Sequence, residues 1–251
     1  MIESLASKYS GCNSLKIPLP AELHLWLWRR DSAGSSDSFL RHVLSFYTDV
    51  PGQLMQFVRG PQGKPALLSP SLPLDFNLSD SGDWLSMAVS GGAPVGIDIE
   101  FCDSRRDVLK LARRFYSDEE LADLQACDPE ERSNRFYDYW TLKEASIKAA
   151  GVSLGSELEQ ARFSLRYPTA ACPGDAVGHI AAPPRPSDDV WYGLLQPLKG
   201  YRMALCCLSS QDFSGGLRLL ELLGTGEVVD RPVSLRALSS CPDVTPGVVC
   251  P

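Results

Sequence analysis

Residues 95–101 read VGIDIEF, two acids set among aliphatics. In a strand, positions i and i+2 face the same way, so Asp98 and Glu100 present two carboxylates side by side. The flanking Val95, Ile97, Ile99 and Phe101 predict a strand at least half buried. Two readings of the acids are open: they end the strand in solvent and pair with Arg105 or Arg106, or they act together. Residues 139–151, YWTLKEASIKAAG, bear on the choice. At helical spacing Trp140, Glu144 and Lys148 share one stripe, although an ordinary solvated helix scatters Lys and Glu too. Three carboxylates from two elements, with lysines close by, suit a hard divalent cation such as Mg²⁺, which takes a few carboxylate oxygens plus water and substrate phosphate. Phosphoryl transfer and nuclease cleavage both use such a site.

Working outward, LHLWLW (23–28) predicts a strand and SFLRHVLSFY (38–47) a helix, with the polar SAGSSDS between them. RGPQGKPAL (59–67) reads as a Gly/Pro loop, and FNLSDSGDWLSMAV (76–89) as strand, Ser-Asp-Ser-Gly turn, strand. Helices are predicted from about Arg105 through Arg114, from an N-cap at Ser117, and from about Glu130 to Ala150, closed by Gly151. FSLRY (163–167), WYGLLQ (191–196) and YRMALCCL (201–208) are strand-like, with the Pro-rich AAPPRPSDD in between, and RALSSCPDVTPGVVCP reads as an irregular tail.

A chain of 251 residues, 44% hydrophobic and 22% charged, can bury one large core or two modest ones. Its net charge of -7 argues against a non-specific nucleic-acid binder, so any anion site must be local. The first twenty residues lack a basic cluster followed by an apolar run, and no segment approaches the ~20 apolar residues of a membrane helix, which predicts a cytoplasmic protein. Eight cysteines without a C-x-x-C pair and three scattered histidines disfavour zinc and predict reduced thiols. Cys206 and Cys207 read as part of a buried strand, and Trp140 as core packing.

The ordered set GKP (63–65), FNLSDSG (76–82), VGIDIE (95–100), RFYSDEE (114–120) and WTLKEASIKAAG (140–151) resembles the 4'-phosphopantetheinyl transferases of the larger, surfactin-synthetase-activating type. That family carries G-I/V-D-x-E and W-S/T-x-K-E-A/S-x-x-K about forty residues apart, and here 41 residues separate Asp98 from Trp140. The resemblance runs from about Ser38 to Leu208. A metal-dependent nuclease would want D-x(n)-E-x-K on strands, whereas this chain has E-x-x-x-K on a helix.

The resemblance implies an α+β fold of two similar halves related by a pseudo-twofold, residues 1–94 and 95–208, with the active site in the cleft between them and an extension of unknown role at 209–251. It implies transfer of the phosphopantetheine arm of coenzyme A to a serine of an acyl or peptidyl carrier protein, by a monomer. Asp98, Glu100 and Glu144 would hold Mg²⁺, Glu144 would also accept the serine proton, and Lys148 would stabilise the transferring phosphate. Lys143 would point to a more distal phosphate or solvent. Lys64 and Pro65 of GKP, with Ser79, Asp80 and Ser81, would bind the nucleotide end. Arg106, Lys110 and Arg114 form a basic stripe that reads equally as a carrier-docking face or as a solvated face. Two departures stand out: the family commonly has N-x-S-H-S where this chain has N-L-S-D-S, and the Lys/Arg-rich segment usual before the helix at Ser38 is shortened. They leave room for an alternative, a catalytically weakened relative that binds a carrier protein or nucleotide.

Overall fold

The computed structural model describes residues 15–30, 34–152, 161–167, 177–182 and 189–239. The readings of the first fourteen residues, of most of AAPPRPSDD, of the GVSL stretch beyond Val152, and of Cys12, Cys172, Cys241 and Cys250 lie outside them.

The described chain is mixed α/β. Strands β1 (Leu23–Arg29), β2 (Gln56–Arg59), β3 (Pro65–Ser69), β4 (Asp75–Ser81), β5 (Trp84–Ser90) and β6 (Val95–Phe101) precede most of the helix, with α1 (Ser36–Ser45) after β1. Helices α2 (Val108–Phe115), α3 (Asp118–Ala126) and α4 (Pro129–Ala150) follow. The remaining strands are β7 (Ser164–Arg166), β8 (Gly178–Ala181), β9 (Trp191–Leu195), β10 (Tyr201–Cys207), β11 (Leu217–Leu222), β12 (Val228–Arg231) and β13 (Leu235–Ser239). They build a sheet ordered β12-β11-β1-β5-β4, a second ordered β6-β10-β9-β13-β8-β7, and a β2-β3 hairpin.

Strand alternation explains the layering. Leu23, Leu25 and Leu27 of β1 join Val95, Ile97 and Ile99 of β6 in one core between the two large sheets. The other face of β1 carries Trp26 and Trp28, which pack under Phe39, Leu40, Val43 and Leu44 of α1. On the far side of the second sheet α4 crosses β6 and β10 and buries Phe136, Tyr137 and Leu142. Cys206 and Cys207 are buried in β10, as read, and Trp140 stacks on Phe136.

Four boundaries differ from the sequence reading. The proline of GKP is already the first residue of strand β3, so the loop is confined to residues 60–64. Ser79, Asp80 and Ser81 belong to β4, and the hairpin turn is Gly82-Asp83 alone. Residues 209–239 are built into both sheets: β11 pairs in parallel with β1, β12 continues that sheet, and β13 pairs with both β8 and β9. Helix α2 also starts later than expected, because Asp107 caps it by accepting the Lys110 N–H. Arg106 therefore lies before the helix, and only Lys110 and Arg114 of the basic stripe ride on it.

His24 shows how β11 bears on the first sheet. The indole N–H of Trp26 donates to Tyr47 Oη at 2.9 Å, and Tyr47 Oη is hydrogen-bonded to His24 Nδ1 at 2.8 Å. Burial, then the charge of Arg218 on the neighbouring β11, lower the His24 pKa from 6.5 to about 4. A lowered histidine pKa means that the unfolded chain binds the extra proton first. The contribution is intact above pH 6.5 and is lost as the pH falls toward 4. Between pH 7.5 and pH 5 the wild type should lose about 2 kcal/mol through this group, and His24→Gln should remove that difference in denaturant unfolding. Parallel pH profiles for the two proteins would refute the assignment.

Candidate functional site

Strand β6 pairs by a regular ladder with β10 on one side. Toward β4 it is satisfied differently, by side chains. Asp75 Oδ2 accepts the Val95 N–H (2.8 Å), Asn77 Oδ1 that of Ile97 (3.1 Å), Ser79 Oγ that of Ile99 (3.3 Å) and Ser81 Oγ that of Phe101 (3.1 Å). Every second residue of β4 serves every second amide of β6, as two strands of the same period require. Lys64 closes the start of this seam, its Nζ donating to Asp75 Oδ2 at 2.7 Å and to the Val95 carbonyl at 3.0 Å.

The opposite side of β6 from the aliphatic core meets α4. Gly96 permits this approach: a Cβ there would lie 2.0 Å from the Ala145 carbonyl oxygen and 2.5 Å from the Ala149 nitrogen. The contact brings Glu144 and Lys148 to Asp98. Lys148 Nζ donates to Asp98 Oδ1 at 2.6 Å and to Ser79 Oγ at 3.0 Å. Ser79 Oγ donates to Asp98 Oδ1 at 2.8 Å, and Ser81 Oγ to Glu100 Oε2 at 2.6 Å. The acids therefore do not end a strand in solvent.

Three carboxylates with one lysine make an electrostatically loaded site. Burial and then the charge of Asp98 raise Glu144 to about 7, against the pull of Lys148. Glu100 is raised by burial and by Asp98, and Asp98 by burial, opposed by Lys148 and Ser79. Among the described residues no three His, Cys, Asp or Glu side chains are gathered closely enough to hold a metal as they stand. The donor set nevertheless fits a hard cation, because Asp98 Oδ2 is buried without a hydrogen-bond partner. A cation there would relieve the mutual repulsion of the three acids.

The remaining expected site residues divide. Lys143 is corrected: it is 0% exposed, paired with Glu120 Oε2 at 2.9 Å and donating to the Ala161 carbonyl, so it faces neither phosphate nor solvent. Its neighbour on the stripe, one residue along, turns about 100° away on a helix, which sends Lys143 inward behind α3. Asp80 is bound by Arg30 from the end of β1, so a cation already offsets the carboxylate that stands where the family has histidine. Pro65 starts β3 beside Lys64.

Sequence reasoning missed a buried cluster under α4. Asp138 lies 2.9 Å from Arg202 Nε and 3.2 Å from Arg236 Nη2, and accepts from Tyr167 Oη at 2.6 Å. These residues come from α4, β10, β13 and the chain after β7, and no local spacing connects them. The hydrogen bonds of Ser79 and Ser81 had a visible signal, the alternation of polar residues at 75, 77, 79 and 81, which marks a strand with a polar face.

The site is thus a carboxylate cluster with a lysine, set between a strand and a helix of a mixed α/β fold. Residues 94–206 match the family model of the 4'-phosphopantetheinyl transferase superfamily. A 4'-phosphopantetheinyl transferase of Bacillus subtilis is 33% identical over 159 residues, 62% of this chain and 64% of the relative. The 4'-phosphopantetheinyl transferase Sfp of Bacillus subtilis strain 168 is 37% identical over 131 residues, 52% of this chain and 55% of the relative. The enzyme AcpT of Escherichia coli K12 is 37% identical over 125 residues, 50% of this chain and 60% of the relative. The chain thus spans between about half and two thirds of the length of these relatives. No helix among the described residues is long and apolar enough to cross a membrane.

Proposed function

We propose that this protein transfers the 4'-phosphopantetheine arm of coenzyme A to a serine hydroxyl of an acyl or peptidyl carrier protein, releasing adenosine 3',5'-bisphosphate. The carrying observation is the convergence of Asp98, Glu100, Glu144 and Lys148, with a carboxylate oxygen of Asp98 left bare inside it. The resemblance of the motifs that supply these residues to named transferases supports the same reading.

Asp98, Glu100 and Glu144 would hold Mg²⁺, which supplies positive charge against the pyrophosphate and its leaving oxygen. Glu144, at the edge of that site, would also accept the proton of the incoming serine hydroxyl, directly or through water. Lys148 uses two of its three N–H groups on Asp98 and Ser79, and the third is available to the transferring phosphate. Lys64 and its neighbour Pro65, with Asp80 neutralised by Arg30, flank β4 and would meet the nucleotide end. We further infer a cytoplasmic monomer whose halves, divided near residue 94, are related by a pseudo-twofold. Two large sheets, each with a helix across its outer face, support the pseudo-twofold, with β11 and β12 of the later chain added to the first sheet.

The test is direct. Coenzyme A with Mg²⁺ should add one phosphopantetheine mass to an apo carrier protein, and Glu144→Gln or Asp98→Ala should reduce the rate by at least ~10²-fold. Unchanged turnover in both variants would end the assignment of the site.

A further inference from the structure

We infer that Ser79 and Ser81 are positioning residues that aim the carboxylates of Asp98 and Glu100, and that Ser79 with Lys148 reserves Asp98 Oδ2 for the cation. The inference rests on the metal reading above. It follows from counting hydrogens. A hydroxyl has one hydrogen and two lone pairs, whereas a backbone N–H or an ammonium can only donate.

Ser79 Oγ accepts from the Ile99 amide at 3.3 Å and from Lys148 Nζ at 3.0 Å, which fills both lone pairs. Its single hydrogen is thereby committed to Asp98 Oδ1 at 2.8 Å. Ser81 repeats the arrangement two residues on, accepting from Phe101 N–H at 3.1 Å and donating to Glu100 Oε2 at 2.6 Å. Each serine is braced by the amide that follows the acid it orients. Because the brace is a main-chain group of β6 itself, acid and hydroxyl move as one unit.

Asp98 Oδ1 then carries two donors, from Ser79 and Lys148, while Oδ2 is buried with none. The two oxygens of one carboxylate are assigned different tasks. The same hydrogen count bears on the expectation that these serines hold the nucleotide phosphate. A phosphate oxygen approaching Ser79 needs a hydrogen that Asp98 already has.

The experiment measures Mn²⁺ binding to the full chain by electron paramagnetic resonance, coenzyme A binding by calorimetry with the metal chelated, and Tm. Ser79→Ala and Ser81→Ala should each weaken Mn²⁺ binding about 10- to 100-fold, the usual effect of removing a group that orients a metal ligand. Coenzyme A affinity without metal should be unchanged, and Ser81→Thr, which keeps the hydroxyl, should bind Mn²⁺ as the wild type does. If Ser79→Ala does not fold, Ser81→Ala at the more open end of β4 gives the same reading. Variants that bind Mn²⁺ normally, or that lose coenzyme A affinity in the chelated arm, would overturn the inference alone. A wild-type protein that binds no Mn²⁺ would overturn the metal reading and this inference with it.

Discussion

Gly96→Ala should cost about 3 kcal/mol of stability, the upper end of overpacking penalties, and on the order of 10²-fold in turnover. The added methyl would meet the Ala145 carbonyl oxygen at 2.0 Å and the Ala149 nitrogen at 2.5 Å. Both are backbone atoms, so no side chain can rotate away and the helix itself must move. Gly96 lies two residues before Asp98, and Ala145 directly follows Glu144, so displacement at this point separates the two halves of the carboxylate cluster. A shift of about 1 Å is enough to spoil a reacting geometry. For a chain of this size the stability loss corresponds to a fall in Tm of roughly 6–12 °C. A variant that melts with the wild type and turns over carrier protein at full rate would show that the helix does not approach this closely.

Lys143→Met should be more destabilising still, by about 3–5 kcal/mol, because it strands a buried carboxylate. Glu120 is 1% exposed and has three obligations: its Oε2 receives the Ser117 amide at 2.9 Å and Lys143 at 2.9 Å, and its Oε1 the Phe163 amide at 2.9 Å. Two amides remain when the lysine is removed, but the buried ion pair is lost. Replacing both members, Glu120→Gln with Lys143→Met, should recover part of the loss, since a neutral pair avoids the cost of burying charge. Folded Lys143→Met protein should keep its coenzyme A affinity in calorimetry. A variant of normal Tm that binds coenzyme A poorly would return Lys143 to the phosphate site.

The contrast between Lys143 and Lys148 shows how far the sequence carried. Strand alternation placed Asp98 and Glu100 on one face, and helical spacing placed Glu144 and Lys148 on one stripe; both are local rules, and both hold here. The direction in which Lys143 points depends on Glu120, which sits on another helix, and no spacing within α4 discloses it. The same limit applies to the first sheet. Leu217–Leu222 is a short apolar run whose partner is β1, and the pairing depends on the intervening chain bringing the two together. Ser79 and Ser81 went astray for a different reason: Ser-Asp-Ser-Gly has turn composition, but its alternation matches the amides of a facing strand, and tertiary demand overrides the local preference of serine and aspartate. The Asp138 cluster, drawn from four separate segments, had no sequence signal at all.

The parallel pairing of Leu23 with Leu217 also sets an order of events during synthesis. Strand β1 lies in the middle of its sheet, with β5 antiparallel on one side and β11 on the other. The β5 side can close early, because few residues intervene and loop closure favours near neighbours. The other side must wait until about residue 222 has left the ribosome. Until then a growing chain displays a row of unpaired amides and carbonyls along an apolar strand, the kind of edge on which chains associate with one another. The last strands of the sheet therefore act as a seal on the first, and a nascent chain that stalls near Leu208 would carry a complete carboxylate cluster on an unsealed, aggregation-prone scaffold.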